Sequence, residues 1–370
     1  MDVPAELIKS LRNINGFDEE AFINIHASGE QVTSIRINPN KIDTKNSSIS
    51  NSLSFAEGWG GGVPWCEYGF YLNKRPSFTF DPFFHAGCYY VQEASGMFLE
   101  QALKQTIDLS QPIKILDLCA APGGKSTHIQ SLITPNSFLV SNETIKSRSN
   151  ILTSNLLKWG ATNVVVTNND PAAFKKLSGY FDAIVVDAPC SGSGLFRKDT
   201  EAIKEWSLNN VALCCQRQQR ILANVLPALK TGGVLIYSTC SYSKEEDEDI
   251  ADWLVHDLKM ENAKLKIDEC WGIVKTDSSN LKATGYRSFP DKVDGEGFYI
   301  ACFRKTLSSE TIKLKARKQE KLLLNDQTII KKWLSNSDVE FLQLFGRVYA
   351  TPQLLINDVS FLRNILNVQY

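Results

Sequence analysis

From residue 113 onward, short apolar runs alternate with segments long enough to form helices, and this alternation limits the fold more than any other feature. The apolar runs have the length of strands and occupy residues 113–118, 138–140, 163–166, 183–186 and 234–237. The intervening segments of helical length are residues 125–133, 146–159, 209–229 and 245–258. Gly160 and Gly232 stand where helix C-caps are expected. Alternating strands and helices predict an α/β fold, a Rossmann-like doubly wound parallel sheet.

The regions on either side of this pattern predict two smaller units. Residues 1–110 predict a smaller, preliminary N-terminal α+β domain, with a strand at residues 33–38 and a polar Ser/Asn loop at residues 46–54. The doubly wound unit is expected to span residues 111–305. Residues 306–370 predict a short linker and a small C-terminal module, with a basic, helix-prone stretch at residues 313–321.

Composition excludes several classes of protein. The 370 residues carry a net charge of -1, so a nucleic-acid surface has to be a local patch rather than a property of the whole chain. No targeting segment or apolar run of about 18 residues is present, which predicts a cytoplasmic protein. The nine cysteines and four histidines show no paired metal-ligand spacing, so no metal site is expected.

The loop after the first predicted strand is built from small residues and leads directly into a helix. Such a turn presents free backbone amides to a nucleotide-like ligand. Gly124-Lys125-Ser126 is similar to part of a phosphate-binding loop, but Cys119 stands where that motif requires its first glycine. The turn therefore suits S-adenosylmethionine, or it is merely structural. Glu143 after the second strand is placed for ribose hydroxyls, and Asp170 after the third strand for the adenine edge.

Two cysteines follow neighbouring segments of the pattern. Asp187 and Cys190 come after the fourth predicted strand, and Cys240 comes after the fifth. Methylation of a pyrimidine at C5 needs a thiolate that adds to C6, together with an acid near N3. The two thiols therefore predict this chemistry if the two strands are neighbours. The cysteines at positions 119, 214, 215, 270 and 302 are expected to be buried and unreactive.

Three motifs lie at the ends of the first, fourth and fifth predicted strands: Asp117-Leu118-Cys119-Ala120-Ala121-Pro122-Gly123-Gly124-Lys125, Asp187-Ala188-Pro189-Cys190-Ser191-Gly192 and Ser238-Thr239-Cys240-Ser241. They closely resemble the Sun (Fmu) family of RNA cytosine-5 methyltransferases, and within it the bacterial members that act on 16S ribosomal RNA. Residues 33–38, 89–95, 194–199, 217–222 and 295–299 fit the same pattern. The resemblance covers residues 30–305, with departures at Ser193 and at Thr144-Ile145.

The resemblance implies a role for each matching residue. Cys240 would be the nucleophile, Cys190 would assist release of the enzyme, and Asp187 would hold the base and face the methyl donor. The implied cofactor is S-adenosyl-L-methionine, and the implied partner is RNA, above all ribosomal RNA or a ribosomal particle, bound by a monomer. The implied cofactor-binding residues are Cys119, Ala120, Ala121, Pro122, Gly123, Gly124, Lys125, Glu143, Arg148, Asp170 and Asp187.

The sequence also indicates residues that could contact RNA, and it leaves several other functions open. A flipped cytosine needs an apolar or aromatic wall and basic groups at its flanking phosphates. The candidates for these contacts are Arg36, Phe196, Arg197, Lys198 and Arg287. Open alternatives are a tRNA cytosine-5 methyltransferase, a DNA cytosine methyltransferase that uses Cys190 as nucleophile, a nucleotide hydrolase, and a non-catalytic RNA-binding assembly factor.

Overall fold

The computed structural model describes residues 3–43, 59–279, 283–308, 322, 324–334, 338–344 and 347–369. The Ser/Asn loop predicted at residues 46–54 and the basic stretch predicted at residues 313–321 lie outside these ranges. Within them, no helix combines the length and the apolar character that crossing a lipid bilayer requires.

The elements of the described residues are numbered in chain order. The α-helices are α1 (Ala5–Leu11), α2 (Glu19–Ser28), α3 (Pro82–His85), α4 (Leu99–Thr106), α5 (Gly124–Leu132), α6 (Lys146–Trp159), α7 (Glu201–Glu205), α8 (Leu208–Val225), α9 (Glu248–His256), α10 (Leu324–Lys331) and α11 (Ile356–Leu362). The strands are β1 (Thr33–Ile37), β2 (Trp59–Gly62), β3 (Gly69–Leu72), β4 (Tyr89–Val91), β5 (Lys114–Asp117), β6 (Phe138–Asn142), β7 (Val164–Thr167), β8 (Phe181–Asp187), β9 (Leu229–Thr239), β10 (Met260–Ala263), β11 (Val274–Asp277), β12 (Thr284–Ser288), β13 (Phe298–Lys305), β14 (Val339–Leu344), β15 (Arg347–Pro352) and β16 (Val368–Gln369).

The centre of the molecule is the predicted doubly wound sheet. Its parallel strands lie in the order β9-β8-β5-β6-β7, and all five predicted apolar runs contribute one strand each. Helices cover both faces, so these strands are apolar on both sides. Ile184 on β8 belongs to the core on the α8 side, whereas its neighbour Val185 belongs to the core on the side of α4 and α5. The predicted α/β fold class is confirmed.

The sheet continues beyond the predicted part through antiparallel strands. β13 pairs with β9, and β10, β11 and β12 extend the sheet from β13, while β16 pairs with the opposite edge at β7. Strand β12 was not predicted, because all five of its residues are buried although Thr284, Arg287 and Ser288 are polar. A strand without apolar and polar alternation is not recognised from its pattern.

The two predicted helix caps differ in outcome. Gly160 ends α6 with a φ of 88°, in the left-handed region that glycine adopts most easily, and this prediction is confirmed. The prediction for Gly232 is wrong. Helix α8 ends at Val225, before a 3₁₀ turn that contains Pro227, and Gly232 lies inside β9. Proline has no amide hydrogen to continue the helix, which explains the earlier end.

Smaller units flank the sheet at both ends of the chain. Near the N-terminus, β1 to β4 form an antiparallel sheet in the order β2-β3-β1-β4, as expected for an α+β unit. Near the C-terminus, β14 and β15 form a hairpin and α11 packs on the main sheet. Asp358 on α11 accepts hydrogen bonds from Lys114 and Tyr180, each 2.5 Å long.

Candidate active site

The carboxyl ends of the parallel strands bring the predicted motifs together. In the pairing of β5 with β8, Asp117 lies opposite Val185, and in the pairing of β8 with β9, Asp187 lies opposite Ser238. The loops after β5, β8 and β9 therefore leave the sheet side by side. Ligands bind outside this edge in open α/β sheets.

The loop after β5 is held in place by its backbone. The amide of Leu118 donates to the Val185 carbonyl at 3.0 Å, and the amide of Ala120 donates to the Asn142 carbonyl at 2.8 Å. Arg148 on α6 donates to the Ala121 carbonyl at 2.8 Å. These bonds fix a turn of small side chains immediately before the N-terminus of α5, where a ligand can approach the backbone closely.

A cavity of about 270 Å³ lies between this loop and the two cysteine loops. Its lining residues are Tyr90, Val91, Gln92, Glu93, Gly96, Cys119, Ala120, Ala121, Pro122, Gly124, Lys125, Asp187, Leu195, Cys240, Glu296, Gly297 and Phe298. The structure thus brings the loop, Lys125, Asp187 and Cys240 to one cavity.

Asp117 ends β5 immediately before this loop, is buried and does not line the cavity; the sequence analysis assigned it no role. Its Oδ2 accepts a hydrogen bond from Ser126 at 2.6 Å, whereas its Oδ1 is buried and has no hydrogen-bond partner in the described residues. Burial raises the pKa of Asp117 to about 7. A buried carboxylate oxygen without a donor fits a ligand that brings a cationic amino group, as the methionine part of S-adenosylmethionine does.

Asp117→Asn is expected to make the free energy of unfolding less dependent on pH. Between about pH 4 and pH 7 the folded chain keeps a proton on Asp117 that the unfolded chain has lost, so stability falls as the pH rises through this window. Asparagine does not titrate and still accepts from Ser126. Over this window the parent chain should lose roughly 3–4 kcal/mol more stability than the variant. Urea unfolding at stepped pH measures both proteins, and parallel pH curves would contradict the assignment.

Lys125 and Asp187 form an ion pair across the cavity. The Lys125 Nζ lies 2.7 Å from the Asp187 Oδ2, and Ser238 donates to the Asp187 Oδ1 at 2.8 Å. Burial lowers the pKa of Lys125, but the Asp187 carboxylate outweighs it and holds this pKa above its usual value. Lys125 also lies over the ring of Phe298, 5.1 Å from its centroid. The pair therefore presents a fixed carboxylate and a fixed cation to the cavity.

The thiols of Cys190 and Cys240 are in direct contact. Their Sγ atoms are 3.1 Å apart, which confirms that β8 and β9 are neighbours and carry both thiols to one site. The hydrogen bond with Cys240, together with burial, raises the pKa of Cys190 well above its usual value. Cys190 therefore keeps its proton at neutral pH, and either sulfur can act as the donor in this contact.

The remaining predicted donor-binding residues lie around the loop. Glu143 follows β6; its carboxylate accepts from the Ile145 amide at 2.9 Å and lies 3.5 Å from Arg148. Asp170 follows β7, is exposed, and accepts from the Ala172 amide at 2.9 Å. Neither acid lines the cavity described above. Their predicted contacts to the ribose and the adenine remain predictions.

Four of the five residues predicted to contact RNA are wrong for that role, because they are buried: Arg36, Phe196, Arg197 and Arg287. Arg36 donates to Gln92 at 2.9 Å and to Thr127 at 2.6 Å, and thereby joins the N-terminal sheet to α5. Arg287 pairs with two buried carboxylates. Lys198 alone among the five is exposed. Of the five cysteines expected to be buried, Cys214 and Cys302 are buried, whereas Cys119 and Cys215 are half-buried and Cys270 is exposed.

Cys66, Glu100 and His128 form a buried group whose possible ligand atoms lie within 4.8 Å of one another. The His128 Nε2 is 3.0 Å from Glu100 and 3.7 Å from the Cys66 sulfur. Burial lowers the pKa of His128 to about 4, so a neutral imidazole lies beside the Glu100 carboxylate. Lys104 also binds Glu100, at 2.6 Å. These contacts connect the β2–β3 loop with α4 and α5, and the spacing of the three residues in sequence did not indicate them.

Comparisons with known proteins agree with this fold. A family profile described as 16S rRNA methyltransferase RsmB/F matches residues 104–304, and one described as the N-terminal domain of 16S rRNA methyltransferase RsmF matches residues 3–94. Ribosomal RNA small subunit methyltransferase F of Pectobacterium atrosepticum is 33% identical, over 82% of this chain and 63% of that protein. The protein of the same name from Vibrio vulnificus is 34% identical, over 90% of this chain and 70% of that protein.

Solved structures share the fold. A methyltransferase homolog from Pyrococcus horikoshii has a TM-score of 0.65 at 26% identity, over 82% of this chain and 100% of that one. NSun6 from the same organism, solved with SFG, has a TM-score of 0.69 at 19% identity, over 82% of this chain and 99% of that one.

The doubly wound sheet and the loop at its first strand end define a Rossmann-like methyltransferase, a class that uses S-adenosylmethionine. Within this class the chain belongs to the RsmB/F family of 16S rRNA methyltransferases, which confirms the resemblance drawn from the motifs. The chain spans 63% and 57% of the length of the first two curated relatives it matches.

Proposed function

We propose that the chain transfers a methyl group from S-adenosylmethionine to C5 of a cytosine in RNA, and that this RNA is the RNA of the small ribosomal subunit. The observation that carries the proposal is the contact between Cys190 and Cys240, with 3.1 Å between the sulfurs, beside a cavity that the loop after β5 also lines. Membership of the RsmB/F family supports the choice of RNA.

Each group at the site has a task in this reaction. Cys240 adds its sulfur to C6 of the cytosine, which makes C5 nucleophilic enough to take a methyl group. Asp187 stabilises the charge that develops at N3. After the transfer the C5 proton leaves and the bond from Cys240 to C6 breaks, and Cys190, which lies against the Cys240 sulfur, assists this release.

The donor is held by the loop and the acids around it. When bound, S-adenosylmethionine supplies the electrophilic methyl group. The residues proposed to hold it are Cys119, Ala120, Ala121, Pro122, Gly123, Gly124, Lys125, Glu143, Arg148, Asp170 and Asp187, together with Asp117. The unpartnered Asp117 Oδ1 and the loop backbone in the cavity support this assignment.

The proposed organisation follows the two regions that the family profiles match. Residues 1–110 form an N-terminal domain that helps bind RNA, residues 111–305 form the catalytic domain, and residues 306–370 form a linker and small module. We propose that the protein acts as a monomer in the cytoplasm, on ribosomal RNA or on a ribosomal particle. The exposed Lys198, 3.9 Å from Glu296 in the cavity lining, is proposed to approach the RNA backbone.

Bisulfite mapping of cellular RNA tests the proposed substrate. RNA from cells that contain the gene is compared with RNA from cells that lack it. At least one cytosine of the small-subunit RNA should resist conversion only when the gene is present. Identical conversion patterns in small-subunit RNA, or a difference confined to tRNA, would contradict the proposed substrate.

Asp187→Asn is expected to reduce methyl transfer far more than donor binding. Asparagine keeps the shape of the side chain but loses the charge that stabilises N3, and that interaction develops mainly in the transition state. Single-turnover transfer and calorimetric donor titration measure the two effects separately. Equal losses in both would assign Asp187 to the donor alone.

Glu143→Ala is expected to weaken the binding of S-adenosylmethionine. Hydrogen bonds from ribose hydroxyls to a carboxylate contribute about 1.5–3 kcal/mol. Calorimetric titration measures the change, with Asp257→Ala as a control, since Asp257 is an exposed acid that follows α9. Unchanged affinity in Glu143→Ala would remove this residue from the donor site.

A further inference from the structure

A buried carboxylate links the two cysteine loops to each other. Glu246 lies in the 3₁₀ turn Lys244–Glu246, after the Cys240 loop, and has no exposed surface. Its Oε1 accepts from the Ser191 amide at 2.8 Å, and its Oε2 accepts from the hydroxyls of Ser191 at 2.5 Å and Ser241 at 2.6 Å. Ser191 follows Cys190 and Ser241 follows Cys240, so one carboxylate binds both loops next to their thiols.

In the described ranges, the Glu246 carboxylate is surrounded by neutral hydrogen-bond donors rather than by a cation. In the described ranges no lysine, arginine or histidine nitrogen lies within 4.0 Å of it. A fourth donor, the Gln218 Nε2, binds the Oε1 at 3.2 Å and also donates to the Pro189 carbonyl at 3.1 Å. Burial raises the pKa of Glu246, and the bonds from Ser191, Ser241 and Gln218 oppose that rise. A buried acid costs stability unless donors compensate it, and here three of the four donors come from the loops that carry the thiols.

We infer that Glu246 is a positioning residue that holds the Cys190 loop against the Cys240 loop and so sets the contact between the two thiols. The inference rests on the proposed function for its consequence in catalysis, but the thiol contact itself is independent of that function. Without Glu246, Cys240 keeps its place at the end of β9 and still adds to C6, whereas Cys190 no longer reaches the sulfur it has to release. The covalent complex between protein and RNA then accumulates.

Oxidation by diamide tests the thiol contact without RNA or donor. Each of the two thiols loses its hydrogen, a bond forms between the sulfurs, and the N=N bond of diamide takes up both protons and both electrons to become a hydrazine. Peptide mapping by mass spectrometry follows the cross-link between Cys190 and Cys240. In Glu246→Gln the new amide NH₂ faces hydrogen-bond donors, so the cross-link should form about tenfold more slowly than in the parent chain.

Glu245→Gln is the matched control, because the adjacent Glu245 is half-buried and has no hydrogen bond to either cysteine loop among those described. It should cross-link at the parent rate. Ser241→Ala removes one bond from the same carboxylate and should slow the reaction to a smaller extent, which provides a second test should Glu246→Gln fail to fold. Cross-linking at the parent rate in both Glu246→Gln and Ser241→Ala would overturn the inference.

A second assay separates this inference from the proposed function. With RNA and S-adenosylmethionine, Glu246→Gln should bind the donor normally yet accumulate the covalent RNA complex, which a general loss of structure would not produce. If Glu246→Gln cross-links slowly but the parent chain methylates no RNA, the proposed function is refuted and the positioning role of Glu246 stands. If the parent chain is active and Glu246→Gln cross-links slowly but accumulates no covalent complex, the proposed consequence for catalysis is overturned.

Discussion

Cys240→Ala is expected to abolish methyl transfer and to leave no protein attached to RNA. Without the sulfur no adduct forms at C6, and C5 of cytosine is too weak a nucleophile to take the methyl group. Cys240 lines the same cavity as the loop after β5 and also contacts Cys190. No other thiol in the described residues combines these two contacts, so none is placed to replace it. Transfer of labelled methyl to RNA and denaturing electrophoresis measure the two effects.

Cys190→Ala is the matched comparison, because it removes the other sulfur of the same contact. This variant should add to C6, transfer the methyl group and then stall, leaving a slowly migrating complex of protein and RNA under denaturing conditions. The double substitution should lose that complex. Accumulation in Cys240→Ala instead of Cys190→Ala would reverse the two roles and match the alternative in which Cys190 is the nucleophile.

Arg287→Met is expected to destabilise the fold by about 3–5 kcal/mol, because it leaves buried carboxylates without their cation. The Arg287 Nη2 lies 2.9 Å from Asp247 and 2.5 Å from Glu248, and all three side chains are buried. Arg287 also donates to the Tyr242 carbonyl at 3.1 Å, two residues after Cys240. The loss should therefore reduce activity as well as stability.

Arg12→Met is the control for this prediction. Arg12 makes a comparable pair with Glu19 at 2.8 Å, but both side chains are exposed, at 60% and 40%. Exposed pairs contribute little to stability. Chemical denaturation should therefore separate the two variants clearly. Equal changes in stability would show that the burial of Arg287 has no energetic consequence.

The parts of the fold that were predicted correctly have local patterns. Helix α6 matches its prediction at residues 146–159, because its buried residues Ser149, Leu152, Leu156 and Trp159 repeat at helical spacing and Gly160 caps it. The antiparallel strands β10 to β13 were missed, since β13 is placed by its pairing with β9 and the other three by pairing with β13 or β12, rather than by an alternation of their own. Parallel strands covered by helices are recognisable by their apolar runs, whereas polar buried strands are not.

The functional site also contains some residues that could be predicted from the sequence and others that could not. The loop after β5, Asp187, Cys190 and Cys240 could be brought together from the sequence, because parallel strands end at one edge of a sheet. Glu246 was missed because its partners come from residues as far as 55 positions away. Arg287 was misassigned for a related reason: a basic residue is read as a surface residue until the carboxylates that neutralise it, 39 and 40 positions earlier, are known.

Methylation by the purified chain is the most direct test of the proposed function. S-adenosylmethionine labelled in its methyl group is incubated with the chain and with small-subunit ribosomal RNA from cells that lack the gene, either free or in the assembled particle. DNA of the same sequence is the control. We predict that digestion to nucleosides places the label in 5-methylcytidine of the RNA and leaves the DNA unlabelled. Label in DNA, label in a different nucleoside, or no label in either RNA substrate would contradict the proposed function.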